Sequence, residues 1–419
     1  MSSPAALPRT YIDRAIDDAP LNRLQRRTIL LCGIVIILDG FDTQCMGFLV
    51  PVIAENLNIP LPAFGPVLAA ALFGLMIAAM ASGPIADRYG RRWVIIVSVF
   101  VFAVFALLTA RATTANELLL YRFLTGLGLG GAMPNAVALT SEYTPKRLQP
   151  VVVGAIFVGM PAGALIASQA ASLLIPLWGW RSVFVLGGAL PLAIAVALIG
   201  LLPESIEWKT ARPRTADLPV KHLFTDGRAL GTLLLWVPFF MNLLILYFIV
   251  SWLPALLRQS ALPASDGVRA IAMFSVGGII GILLEGRVMM AVGARALLVA
   301  EFVVCALLIA MLANVGTSLL PMLIATMVLG ISVQGAQAGL NALAAMFYPT
   351  SVRATGIGWA LGIGRIGSIV GPSLGGILLS MQWTPKQILI AGIAPAACAA
   401  LAIAAAGLLP QRANAFRSE

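Results

Sequence analysis

Apolar runs of about 20 residues, each long enough to cross a bilayer, follow one another along almost the whole chain, and the charges are confined to the gaps between them. That pattern leaves little choice of fold. Only 11% of the 419 residues are charged and 60% are hydrophobic, whereas a soluble domain carries about 25% charged residues. A water-facing surface cannot be built from so few charges. In lipid, every backbone polar group must be satisfied internally, and helices do so within a single segment. The expectation is an all-α membrane protein.

Twelve spans are predicted: 29–53, 63–86, 93–111, 115–141, 150–176 and 180–203, then 229–257, 267–292, 295–314, 318–347, 354–380 and 386–409. Residues 204–228 collect Glu204, Glu207, Lys209, Arg212, Arg214, Lys221 and Asp226 and read as a solvated linker. The expected layout is an N-terminal arm (1–28), a six-helix bundle (29–203), the linker (204–228), a second bundle (229–409) and a tail (410–419). The arm holds acids and five arginines without a short apolar core and cleavage site, so it does not read as a signal peptide. Twenty of the 27 basic residues fall on the side of the arm, linker and tail, and five on the other. The positive-inside rule places that side in the cytosol, which implies a bacterial inner-membrane protein with both termini inside. The net charge of +10 is read as this topological signal, so no nucleic-acid partner is expected. The four cysteines lie in apolar runs without CxxC spacing and read as packing residues.

The halves repeat. Gly83, Gly90 and Arg92 after span 2 recur as Gly286, Gly293 and Arg295 after span 8, and Asn135 and Arg147 recur as Asn341 and Arg353. Parallel repeats of this kind are a transporter plan. The loop from Gly83 through Asp87, Arg88, Gly90, Arg91 and Arg92 is a tight charged turn in which Gly90 suits positive φ. Its second copy has Met290 where Asp87 stands.

Asp39 and Asp42 sit within span 1, three residues apart and therefore on one helical face. An acid within a membrane span costs at least ~2.5 kcal/mol on insertion scales and is functional by default. Burial and mutual repulsion make the pair a candidate proton site; an ion pair with an arginine is the alternative. Arg122 and Arg365 are the cations inside spans. A guanidinium can hold a carboxylate in bidentate fashion, so one can bind an anionic substrate while the other balances the aspartates. Arg365 lies near the midplane and is the expected anchor. Arg122 is the expected partner of the aspartates. Gln334, Gln337, Asn242 and the aromatic rings of Trp236, Phe240, Tyr247 and Trp359 would suit a flat ring with polar substituents. Glu285 and Glu301 read as gate or packing charges. Glycines four apart, Gly126–Gly130 and Gly367–Gly371–Gly375, let helix backbones approach closely. There is one histidine, in the linker, and no Walker loop, HExxH or GxSxG. No enzyme, no ATP-driven pump and no cofactor beyond a coupling proton are expected.

The loop 83–92 and Arg122-x3-Gly126-x3-Gly130 resemble the signatures of the major facilitator superfamily. Leu38-Asp39-Gly40-Phe41-Asp42 resembles the D-G-x-D motif of its aromatic acid:proton symporters. Further similar stretches are 122–135, 179–181, 347–356 and 359–372, and the resemblance covers nearly all of 25–409. It implies two six-helix bundles and proton-coupled uptake of a small aromatic carboxylate by a monomer. Asp39 and Asp42 would be the helix-1 acids, and Asp87 the acid needed for conformational switching, with Arg353 in the matching loop of the second half. Rival readings are a proton-driven exporter, a symporter of muconate or another organic acid, and a membrane receptor. The first is disfavoured because Gly371-Pro372-Ser-Leu-Gly375-Gly376 lies in span 11 rather than span 5.

Overall fold

The computed structural model describes residues 21–145, 148–205, 220–225, 227–259, 263–314, 318–348 and 353–407. Most of the expected arm, the middle of the linker and the tail 410–419 lie outside the described residues, as do the side chains of Asp87 and Arg353. Among the described residues every long element is a helix. The first half holds α1 (Arg23–Leu57), α2 (Phe64–Tyr89), α3 (Arg91–Thr109), α4 (Ala115–Tyr143), α5 (Gln149–Phe157), α6 (Gly159–Trp178) and α7 (Arg181–Leu201). The second holds α8 (Ala229–Gln259), α9 (Ala264–Val292), α10 (Ala294–Leu312), α11 (Leu319–Phe347), α12 (Arg353–Ser380), α13 (Pro385–Ala391) and α14 (Ile393–Ala406).

Two breaks have a local cause. α5 ends at Phe157 and α13 at Ala391, each four residues before a proline, Pro161 and Pro395. A proline cannot donate to the carbonyl four residues back and its ring crowds that carbonyl. α5 with α6, and α13 with α14, therefore form one span each. α1 begins six residues before the expected boundary because Asn22 and Gln25 form a reciprocal capping box.

Eleven spans among the described residues are long and apolar enough to cross a membrane. The twelfth, α4, has 29 residues, about 43 Å at 1.5 Å per residue. It is less apolar because it carries glycines, Arg122, Thr125, Asn135 and Thr140, all on its buried side. The glycines do what their spacing predicts. A Cβ on Gly126 or Gly130 would strike the backbone carbonyls of Ala71 and Leu75 in α2, and one on Gly367 or Gly371 those of Phe240 and Leu244 in α8. The helices of each bundle thus meet backbone to backbone.

The large apolar core that the two bundles share lies at the end away from the linker, with a small second cluster joining Leu72 to Leu243. At that far end a single cluster joins Phe48, Leu49 and Val50 of α1 to Phe248, Trp252 and Leu253 of α8. At the linker end the core divides into a cluster of first-half residues and a separate cluster of second-half residues. Gly47 of α1 abuts the Val250 carbonyl, and the α-carbons of Gly65 and Gly376 come into close contact, so side chains larger than hydrogen would hold the bundles apart. The bundles are therefore closed at the far end and parted at the linker end.

An ion pair crosses the closed end. Arg258 Nη2 lies 2.5 Å and 2.7 Å from the two carboxylate oxygens of Glu55, beside a depression of about 410 Å³ walled by Ala54 and Ala255. The pair is exposed, and exposed pairs contribute roughly 0.2–1 kcal/mol. Glu55→Gln is expected to raise the labelling rate of an Ala255→Cys reporter by a membrane-impermeant maleimide roughly two- to fivefold. An unchanged rate would show that the pair contributes nothing to closure.

Candidate functional site

The two aspartates of α1 share a helical face but not a neighbour. Asp42 is turned to α4, where Arg122 Nη1 and Nη2 donate to its two oxygens at 3.0 and 2.9 Å, and Nη2 also reaches its carbonyl at 3.3 Å. Each side chain is 1% exposed. The Arg122 guanidinium also lies 5.8 Å from the centre of the Phe184 ring of α7. This is a fork-on-fork pair sealed inside the first bundle. Arg122, expected as partner of the aspartates and also named among substrate-binding groups, has both terminal nitrogens engaged by Asp42 and presents no surface to a solute.

Asp39 is equally buried but lacks such a partner. One oxygen accepts from Thr43 Oγ1 at 2.8 Å; the other, Oδ2, has no hydrogen-bond partner. The cation that its charge meets is Arg365 of α12, in the opposite bundle. Arg365 is half-buried and its Nη2 rests 3.9 Å from Met133 Sδ of α4. It lies twelve residues into α12, about 18 Å along the axis and near the middle of a bilayer core of about 30 Å. Tyr247 of α8 is buried nearby, packed with Leu243 and Ile369 of its own bundle and Leu72 of the other. The midplane between the bundles therefore holds one unpaired carboxylate and one available guanidinium.

The remaining expected groups lie elsewhere. Gln334 is turned onto α9, donating to the Phe274 carbonyl at 3.4 Å and lying against Gly278. Gln337 accepts from Asn242 Nδ2 at 3.0 Å and donates to Asn341 at 3.4 Å, tying α8 to α11. Trp359 stacks on Trp236 with centroids 6.0 Å apart, and Phe224 meets Trp236 edge-on. That aromatic group sits six residues from Arg365, about 9 Å along the helix towards the linker end, with Trp359 43% exposed. The structure sets Asp39 and Arg365 within each other's field across the bundles, and engages Gln334 with α9, Gln337 with α8 and Trp359 with Trp236.

The charged turn after α2 is built as its spacing predicts. Gly90 has φ +93° and its repeat Gly293 has φ +86°, both in the region that favours glycine. Arg88 lies 5.3 Å from the Tyr89 ring centre. Arg91 forms an ion pair with Glu142 at the end of α4. The Arg92 backbone N–H donates to Glu204 Oε1 at 3.1 Å, and its guanidinium donates to the Ile199 carbonyl. Glu204 thus caps the start of α3, where N–H groups have no partner inside the helix. Sequence reading counted Glu204 only as a linker charge and did not single out Glu142. An acid just after an apolar run is the signal that could have found either.

Glu285 and Glu301 are a pair as well. Both are buried, one oxygen of each lies against Gly335, and Glu285 Oε1 and Glu301 Oε2 have no hydrogen-bond partner. The repeat puts Ser82 and Ser98, both buried, at the corresponding positions of the first bundle.

Two six-helix bundles with opposed charges at their shared midplane define a secondary transporter. Residues 32–284 match the Major Facilitator Superfamily; the chain belongs to that superfamily and groups there with transporters of aromatic acids. It is 39% identical over 451 residues to the 4-hydroxybenzoate transporter PcaK of Pseudomonas aeruginosa, across 98% of this chain and 99% of that one. It is 35% identical over 422 residues to a gallate transporter of Pseudomonas putida, across 94% of each. Among solved structures the fold is similar to a D-xylose-proton symporter, with TM-score 0.75 at 15% identity over 92% of this chain and 98% of that one.

Proposed function

We propose that this protein imports a small single-ring aromatic carboxylate together with a proton across the bacterial cytoplasmic membrane, with its termini and linker in the cytosol. The observation that carries the reading is the division of charge at the midplane. Asp42 and Arg122 neutralise each other within one bundle, whereas Asp39 and Arg365 face each other between bundles. In the empty carrier Arg365 balances Asp39. When a substrate carboxylate takes the guanidinium, Asp39 loses its counter-charge and takes a proton instead. The loaded midplane is then neutral again and can cross the low-dielectric barrier, while a half-loaded one carries an uncompensated charge. Each ligand strengthens binding of the other by the same factor, which is the requirement for symport. The substrates named for the relatives, 4-hydroxybenzoate, gallate and benzoate, are all such carboxylates. In this topology the parted linker end makes the structure open to the cytosol.

The test is uptake of 4-hydroxybenzoate into proteoliposomes under an inward proton gradient, with binding measured for the acid and its amide. Arg365→Lys keeps the charge but loses the planar fork. It is expected to weaken binding of the acid about tenfold or more and binding of the neutral amide far less. Equal losses for both ligands would show that Arg365 holds helices rather than substrate, and absence of gradient-driven uptake in the wild type would overturn the reading.

A further inference from the structure

The tip of Arg365 faces a thioether. Its Nη2 donates to Met133 Sδ at 3.9 Å, from α12 of the second bundle to α4 of the first. Met133 is half-buried and packs against the apolar core of its own bundle. The next residue, Pro134, is exposed, although α4 lies against both α2 and α3, so this stretch of α4 borders the space between the bundles. A thioether is a weak acceptor and cannot neutralise a guanidinium. A carboxylate, which accepts two charge-assisted hydrogen bonds from the fork, displaces it. A ring carried on that carboxylate extends beyond the guanidinium tip, on the side where Sδ now stands. The two indoles expected to receive a ring, Trp236 and Trp359, are stacked on each other. Methionine is unbranched, with three rotatable bonds and a polarizable sulfur, and it makes favourable contacts with aromatic rings. Met133 can therefore give up the guanidinium and stay beside the ring.

We propose that Met133 selects the aromatic ring: its thioether covers Arg365 in the empty carrier, yields the guanidinium to the substrate carboxylate and then packs against the ring. This rests on Arg365 being the carboxylate anchor, as argued above. The substrate is thereby read by both bundles, its charge by α12 and its ring by α4. A saturated ring of similar size and equal charge meets the same arginine but offers the sulfur no π system. No covalent bond is made or broken and no proton is moved in this step.

Met133→Leu removes the sulfur at nearly constant volume, a swap that well-packed interiors tolerate. The measurement is equilibrium binding of 4-hydroxybenzoate and of trans-4-hydroxycyclohexanecarboxylate to the purified protein in detergent, with Arg365→Lys measured beside it. Met133→Leu is expected to lower the ratio of aromatic to saturated affinity about two- to tenfold, the range of one sulfur–ring contact. Uncovering the guanidinium affects both acids alike and cancels in that ratio. An unchanged ratio, whether both acids lose affinity together or neither does, would assign Met133 to packing and overturn the proposal. If Arg365→Lys still weakens both acids in that case, the symport reading stands. If Arg365→Lys binds both acids as tightly as the wild type, the anchor is misassigned and both fall.

Discussion

Arg122→Met is expected to destabilise the protein by about 3–5 kcal/mol, because it leaves Asp42 as an uncompensated charge in a dry interior. Asp42→Leu should be comparably damaging, with the guanidinium then the orphan. The double variant should recover most of the loss, since a buried pair replaced by apolar groups of similar volume is often neutral in stability. Thermal unfolding of the purified variants in detergent reads this directly. Single variants as stable as the wild type would mean that the pair contributes nothing to the bundle. Uptake by the double variant carries separate information. Retained gradient-driven accumulation would assign Asp42 and Arg122 to structure, while a stable double variant unable to accumulate would return Asp42 to the proton path.

Asp39→Asn should abolish accumulation and leave exchange. One coupled proton supports about tenfold accumulation per unit of pH gradient, which is 1.36 kcal/mol, when the membrane potential is clamped at zero. The variant is expected to level off with equal concentrations on both sides, because its amide neither binds nor releases a proton. Substrate counterflow without a gradient should persist, since Arg365 keeps its hold on the carboxylate. The measurement is the steady-state ratio of labelled 4-hydroxybenzoate inside and outside at fixed pH difference. A tenfold ratio in the variant would remove Asp39 from the proton path.

The contrast between these two aspartates shows where sequence reading ends. Their spacing places them on one face, and their depth makes both remarkable as acids in a span. Which neighbour each one meets is decided by the packing of α4 on one side and of α12 on the other, with Arg122 80 residues from Asp42 and Arg365 farther still from Asp39. The spans were legible because apolar length is a local property. The breaks before Pro161 and Pro395 are local too, although other prolines, among them Pro134 and Pro254, lie inside unbroken helices. Tyr247 reads in the sequence as one of four rings that would suit a flat solute. Only the closeness of α12 makes it a neighbour of Ile369. Glu285 and Glu301 stand 16 residues apart on successive helices, and nothing in that interval says that both carboxyls lie against Gly335. For Gln334 and Trp359, polarity and aromaticity mark depth and surface, but helix rotation decides which neighbours they meet, the Phe274 carbonyl and the Trp236 ring.

The close backbone contacts at Gly47 and Gly65 bear on how the resting potential is distributed. In the proposed topology, with the linker end in the cytosol and open to it, water reaching the midplane would carry the cytosolic potential up to Asp39 and Arg365. Nearly all of the voltage then drops across the dry far-end plug, where apolar side chains of both bundles pack together and glycine backbones touch. A unit charge crossing that plug exchanges about 2.3 kcal/mol per 100 mV, whereas one moving between the midplane and the cytosol exchanges almost none. Release of substrate into the cell is therefore insensitive to voltage. The electrical work of the cycle is concentrated in the step that moves the seal from one end to the other.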